Sequence, residues 1–184
     1  MKKKTIKKRI LAGLLVFSLI VPANVAGAKT QTVLETNVTE ASEGCTLVGV
    51  YGSYFAQAEE ALAKINEIRK EACEAGNIRD PRDSGRYLQP SDYVPLKWSS
   101  DLEYIARIRA AEAGIAFRFM DSGHDRLNEK DTFSIGSNGI SSSSEDLAYY
   151  YVKDMIEGIL LWYSEKQYWV KQDFSEETGH YKSM

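Results

Sequence analysis

Several signatures of dedicated chemistry are missing from this chain. It has no H-E-x-x-H to seat zinc on one helix and no G-x-S-x-G elbow to raise a nucleophilic serine. Nothing local therefore argues for a dedicated protease or esterase. A glycine-rich phosphate loop, a basic patch and an internal repeat are also missing. Histidine occurs twice and cysteine twice. The apolar run Ile10–Val21 is 12 residues long, short of the roughly 20 that a membrane-spanning helix needs.

What is present begins with a processed leader. Met1–Arg9 carries six Lys/Arg and no acid, the apolar run follows, and Ala26-Gly27-Ala28 supplies small residues. That order predicts a secretory signal peptide over 1–28, cut after Ala28. No cysteine follows the run closely enough for a lipoprotein anchor, so no stable membrane anchor is expected after cleavage. Removing six positive charges takes the formal net charge from −3 to −3 − 6 = −9. An exported domain this acidic repels nucleic acid and anionic surfaces.

The two cysteines allow one bridge in an exported chain, between Cys45 and Cys73. It would staple the leader onto the first helix and contribute roughly 3–4 kcal/mol by loop closure. The alternative is two free thiols, with Cys73 a small core residue.

Residues 29–54 are rich in Thr, Ser, Glu and Gly without an apolar period, which predicts an extended leader or linker. Asn37-Val38-Thr39 is a sequon that only a eukaryotic host would use. The domain proper spans 55–184. Ala58, Leu62, Ile65, Ile68 and Ala72 predict a first helix over Phe55–Ala75, capped by Gly76. Pro81, Gly85 and Pro90 mark 77–91 as loop, and Tyr93–Trp98 reads as a short extended piece. Ser100-Asp101-Leu102-Glu103 is a capping box. From it Leu102, Ile105, Ala106, Arg109, Ala113, Ala116 and Phe117 continue one face of a second helix. Gly123 breaks the chain and presents His124. The polar stretch 128–144, ending in four serines, reads as irregular loop, and 149–171 as a third helix with Gly158 at a close contact.

The last 25 residues concentrate the unusual chemistry. At about 100° per residue, Gly158, Leu161, Trp162, Tyr168 and Trp169 all lie within roughly 60° of Glu165. A carboxylate centred in an aromatic stripe is costly to bury unless something pairs with it. It is either a half-exposed glutamate with its stem beside Trp162 or part of a site.

Five matches in order connect these pieces to a family. Trp162–Glu165 (W-Y-x-E), Gly179–Tyr181 (G-H-Y), Ser144–Leu147 (S-E-D-L), His124 after the second helix, and Leu96, Trp98, Leu102 and Ala106 at its opening resemble the CAP superfamily. That superfamily comprises cysteine-rich secretory proteins, antigen 5 and pathogenesis-related proteins, with many secreted bacterial members. The resemblance covers about residues 58–184. It implies an α+β fold, an α/β/α sandwich with helices on both faces of a small antiparallel sheet, of which 178–184 opens one strand. In the family that strand continues and further strands follow, so the resemblance implies a domain truncated at its C-terminal strands.

The resemblance also implies a cleft tetrad of His124, Glu145, Glu165 and His180. Two imidazoles and two carboxylates from four segments are the parts of a divalent-metal site or an acid–base cluster. His124 and His180 are the expected ligands of a zinc-type ion, Zn(2+), with the glutamates orienting them or a bound water. The family's G-E-N is Ser144-Glu145-Asp146 here, which replaces a donating amide by a carboxylate and adds negative charge. Lys182 and Ser183 stand where many members have Thr-Gln. The implied function is a non-enzymatic binding module for a small hydrophobic ligand, a cell-surface component or a protein partner. The alternative is a metal-dependent hydrolase in the same cleft, with Glu145 or Glu165 as base.

Overall fold

The structure is a computed structural model. It describes Thr30–Gln31, Tyr54–Phe55 and residues 57–119, 123–126, 130–149 and 152–184. The expected signal peptide, Cys45 and the sequon lie outside the described residues. In chain order the elements are β1 (Thr30–Gln31), β2 (Tyr54–Phe55), α1 (Ala58–Glu74), β3 (Arg79–Asp80) and β4 (Asp83–Tyr87). A 3-10 turn at Pro90–Asp92 leads to α2 (Ser100–Phe119), β5 (Gly136–Ser137) and β6 (Ile140–Ser141). The chain then runs through α3 (Met155–Tyr163), α4 (Lys166–Lys171) and α5 (Gly179–Ser183). Helices with small antiparallel sheets make this a mixed α+β protein. Among the described residues the strands form three separate two-stranded sheets, β1–β2, β3–β4 and β5–β6.

The chain divides into two compact units. The first comprises residues up to Ala56 together with Ser100–Leu147. Its long element is α2, which buries Ile105, Arg109, Glu112, Ala113 and Ala116. That spacing is one helical face, as the apolar period predicts. Leu102, Ala106 and Phe117, expected on the same face, are exposed. The stretch expected to be irregular holds the β5–β6 hairpin, with Gly136 opposite Ser141 and Ser137 opposite Ile140. Its two-residue turn is Asn138-Gly139, both at positive φ (48° and 79°), the backbone that matches strand twist. Asp101 Oδ1 accepts from Ser137 Oγ (2.7 Å) and Asn138 Nδ2 (2.8 Å), which ties the hairpin to the start of α2.

The second unit comprises Gln57–Ser99 and Ala148–Met184. Its core gathers Ala61, Ile68 and Ala72 of α1 with Ile78, Ile159, Trp169 and Tyr181. Each buried isoleucine contributes about 1.5–3 kcal/mol by leaving water. The core positions Ala61, Ile68 and Ala72 lie seven and four apart on one face of α1, and Gly76 stops the helix at φ +70°, the left-handed cap its position predicts. Residues 79–87, expected as loop, form a hairpin. Asp80 Oδ1 accepts the Arg82 amide (2.8 Å) at its turn, and Arg86 pairs with both Asp80 and Asp92. The extended piece 93–98 joins no sheet. Asn66 on α1 replaces a strand partner there, donating to Leu96 O (3.1 Å) and accepting from Leu96 N (2.7 Å).

Two further expectations change. The third helix does not run from 149 to 171: Asp154 caps α3 by accepting from Glu157 N (2.9 Å). At Ser164-Glu165 the ladder tightens to a three-residue spacing, with Glu165 N donating to Trp162 O (3.2 Å), and α4 restarts beyond it. Gly158 is buried as expected, and a Cβ there would lie 3.4 Å from Ala148 Cβ. The second correction concerns the end of the chain, where Gly179–Ser183 is helical rather than a strand. A strand needs a neighbour to pair its amides and carbonyls. Among the described residues none lies beside it, and the segment closes its own bonds, Lys182 N to Thr178 O (3.2 Å) and Met184 N to His180 O (3.2 Å).

Candidate functional site

The structure pairs the four expected residues two and two, one pair inside each unit. In the second unit the tightened turn between α3 and α4 aims Glu165 at the start of α5. His180 Nδ1 lies 2.6 Å from Glu165 Oε1, and the Tyr181 amide donates to Oε2 at 3.1 Å. A carboxylate only accepts, so Nδ1 carries the ring proton and Nε2 is the ring's ligand atom. Trp162 stacks on the imidazole, ring centroids 6.2 Å apart and planes 12° from parallel. Glu165 is buried while His180 remains partly open, so the acid anchors and the ring faces outward.

A third group joins this pair. Ligand atoms of Glu165, Glu177 and His180 all lie within 4.8 Å of one another. Glu177 is exposed, and its Oε1 accepts the Gly179 amide at 3.0 Å. Sequence reasoning passed over Glu177. Its signal was an acidic side chain three residues before a histidine at an element boundary.

In the first unit His124 Nδ1 lies 3.0 Å from Glu145 Oε1. His124 is half exposed and Glu145 is buried. Beneath them lies Arg109, 3% exposed. Its Nε donates to Glu145 Oε2 (2.8 Å), its Nη2 to Glu145 Oε1 (2.8 Å), and its Nη1 to Glu112 Oε2 (2.7 Å). Nη2 also reaches the carbonyls of Gly123 (3.0 Å) and His124 (2.9 Å). Arg126 closes the network on Glu112, with Nη2 to Oε1 at 2.6 Å. Burial by itself would raise the Glu145 pKa. The hydrogen bonds and charges of Arg109, then His124, outweigh it and hold the carboxyl below the usual range. Burial disfavours the Arg109 cation, but Glu145 and Glu112 overcome that and raise its pKa. The signal for this network was an arginine on the otherwise apolar face of the second helix.

Cys73 is a buried free thiol whose pKa burial pushes up; its expected partner Cys45 lies outside the described residues. An open depression of about 470 Å³ on the second unit is walled by Tyr163, Lys166, Val170 and Lys171 among others, and neither Glu165 nor His180 lines it. No protein-family model, no curated protein and no solved structure matches the chain.

Proposed function

We propose that the chain is a secreted binding module of the CAP type whose second unit holds a zinc-type ion at His180 and Glu177, with Glu165 orienting the ring. The observation that carries the reading is the convergence of these three ligand-capable side chains within 4.8 Å. Imidazole nitrogen with carboxylate oxygen is a donor set that suits zinc. A carboxylate on Nδ1 is the arrangement that fixes a metal-binding ring and raises its basicity. His124 has the same arrangement, which supports the expectation that it is the other imidazole of the function. The ligand or partner of the module is a small hydrophobic molecule, a cell-surface component or a protein.

Binding fits the two glutamates better than hydrolysis does. Glu145 and Glu165 each accept hydrogen bonds with both oxygens. The lowered pKa of Glu145 further weakens it as a general base. Export rests on the pattern of residues 1–28, and the sandwich arrangement on the family resemblance. Among the described residues no helix is long and apolar enough to cross a membrane.

Calorimetric titration of the exported chain with zinc tests the reading. The expected result is saturable binding, lost in His180→Ala and weakened about tenfold or more in Glu177→Gln. Equal affinity in all three proteins would remove the site. A peptidase or esterase rate that vanishes in both His124→Ala and Glu165→Gln would replace binding by hydrolysis.

A further inference from the structure

We infer that Arg109 is the positioning residue of the His124–Glu145 pair: one guanidinium fixes both the carboxylate that orients the ring and the backbone that carries it. The inference rests on the reading above only in taking His124 as a working imidazole.

A buried arginine needs a carboxylate and enough acceptors to offset its lost hydration. Glu112 alone, three residues on along α2, would supply the counter-charge. Instead the fork divides its donors among three things. Nη1 goes to Glu112, which Arg126 holds in turn. Nε and Nη2 take the two oxygens of Glu145 in the bidentate geometry that leaves a carboxylate no freedom to rotate. Nη2 also holds the carbonyls of Gly123 and His124. The imidazole is therefore constrained from two sides by one side chain, through its Nδ1 acceptor and through its own peptide. Thr132 Oγ1 adds a second donor to the His124 carbonyl at 2.9 Å.

The fork also sets the proton on the ring. With both Glu145 oxygens already accepting from arginine, the carboxylate presents Oε1 to Nδ1 as a fixed acceptor, so the neutral ring carries its proton on Nδ1. Lysine would keep the charge but offers three donors from a single point. It cannot span two carboxylate oxygens, Glu112 and two carbonyls together.

The test is imidazole nitrogen NMR on the labelled chain with chelator present, at a pH where the rings are neutral. His180 serves as the internal control, since its own acceptor is Glu165. In the wild type, His124 is expected as a single Nδ1–H tautomer, with a slowly exchanging Arg109 Nε–H coupled across its hydrogen bond to the Glu145 carboxyl carbon. In Arg109→Lys with helix content intact, His124 should become a mixture of tautomers while His180 is unchanged. A His124 that stays a single Nδ1–H tautomer in a folded Arg109→Lys protein would overturn the inference, because a merely structural arginine costs stability without moving the ring. Should that variant not fold, the wild type decides alone. An Nε2–H tautomer at His124, or an Arg109 Nε–H that exchanges freely without the coupling, overturns it. Failure of zinc binding leaves this test untouched.

Discussion

His180 Nδ1 lies 2.6 Å from Glu165 Oε1, and the other oxygen of that carboxylate takes the Tyr181 amide at 3.1 Å. One buried acid thus orders a ring and the first turn of the helix that carries the ring. The amide analogue cannot do both. In Glu165→Gln the single carbonyl oxygen serves either Nδ1 or the Tyr181 amide, and the NH2 then faces a donor. A buried donor left without an acceptor costs about 1–3 kcal/mol. Urea unfolding should show a loss in that range, and zinc affinity should fall 10- to 100-fold through the disordered ring. A Glu165→Gln protein as stable as the parent, with undiminished affinity, would show that the pair is incidental.

Zinc binding should release protons and weaken as pH falls, because ligation requires an unprotonated ring nitrogen. Calorimetry in buffers of different ionisation enthalpy reads that release directly. A binding heat independent of buffer would put the ion on carboxylates alone.

Cys73 should resist thiol reagents in the native chain and react on unfolding. It is 6% exposed, and burial, reinforced by the negative charge of Asp92, raises its pKa and keeps the thiol protonated. Thiolate, not thiol, is the nucleophile. Counting thiols with and without reductant under denaturing conditions also settles the expected bridge. One mole released by reductant for each cysteine would show that Cys45 and Cys73 pair in the exported protein.

Much of the helical skeleton was legible because amphipathic periods are local. Ile68 and Ala72 of α1, Ile105, Ala113 and Ala116 of α2 and the Gly76 cap follow from spacing, whereas Ala61 was passed over and Leu102, Ala106 and Phe117 are exposed. The β5–β6 hairpin was equally legible, in Asn138-Gly139, but the serines around it suggested a formless loop. The break at Ser164-Glu165 was not legible. The apolar and aromatic pattern runs through it, and what bends the ladder is the demand of Glu165 for partners 15 and 16 residues away. The glycine before each histidine and the acid of Glu165 in an aromatic stripe stand out in the sequence, but Glu145 came only from the family resemblance, which implied one tetrad and did not say which histidine meets which glutamate. Arg109 was visible as an anomaly on an apolar face, yet its acceptors come from segments up to 36 residues distant. No period encodes them.

Gly139→Ala should destabilise the first unit's hairpin by about 1 kcal/mol. The cost comes from φ +79°, where a Cβ is strained, and not from crowding, since nothing lies within 4 Å of a Cβ built there. Asn138→Gly should cost less backbone strain but lose the bond to Asp101. Amide exchange across Gly136–Ser141 reads both. Protection unchanged in Gly139→Ala would mean the turn does not hold the hairpin.

Acid should undo the first unit through Glu145. Burial pushes its pKa up, but Arg109 and His124 more than reverse that, so the folded value lies below the unfolded one near 4.3. A lowered carboxyl pKa means that the unfolded chain binds the proton more tightly. The resulting stabilisation is full above the ordinary carboxylate range and disappears as pH falls through the depressed folded value. Glu71 in the second unit behaves alike, burial being outweighed by Lys166 and Tyr163, but it is nearly half exposed and solvent screens much of its share. Urea midpoints measured downward from pH 6 should therefore stay level and then drop below about pH 4. In Glu145→Gln the whole curve should start lower, because Arg109 keeps its burial and loses half its counter-charge, and the acid drop should be shallower. Removing one partner of a buried pair costs about 3–5 kcal/mol. An acid limb of the same steepness in Glu145→Gln would assign the pH dependence to other carboxylates and leave the Arg109 fork without its main energetic consequence.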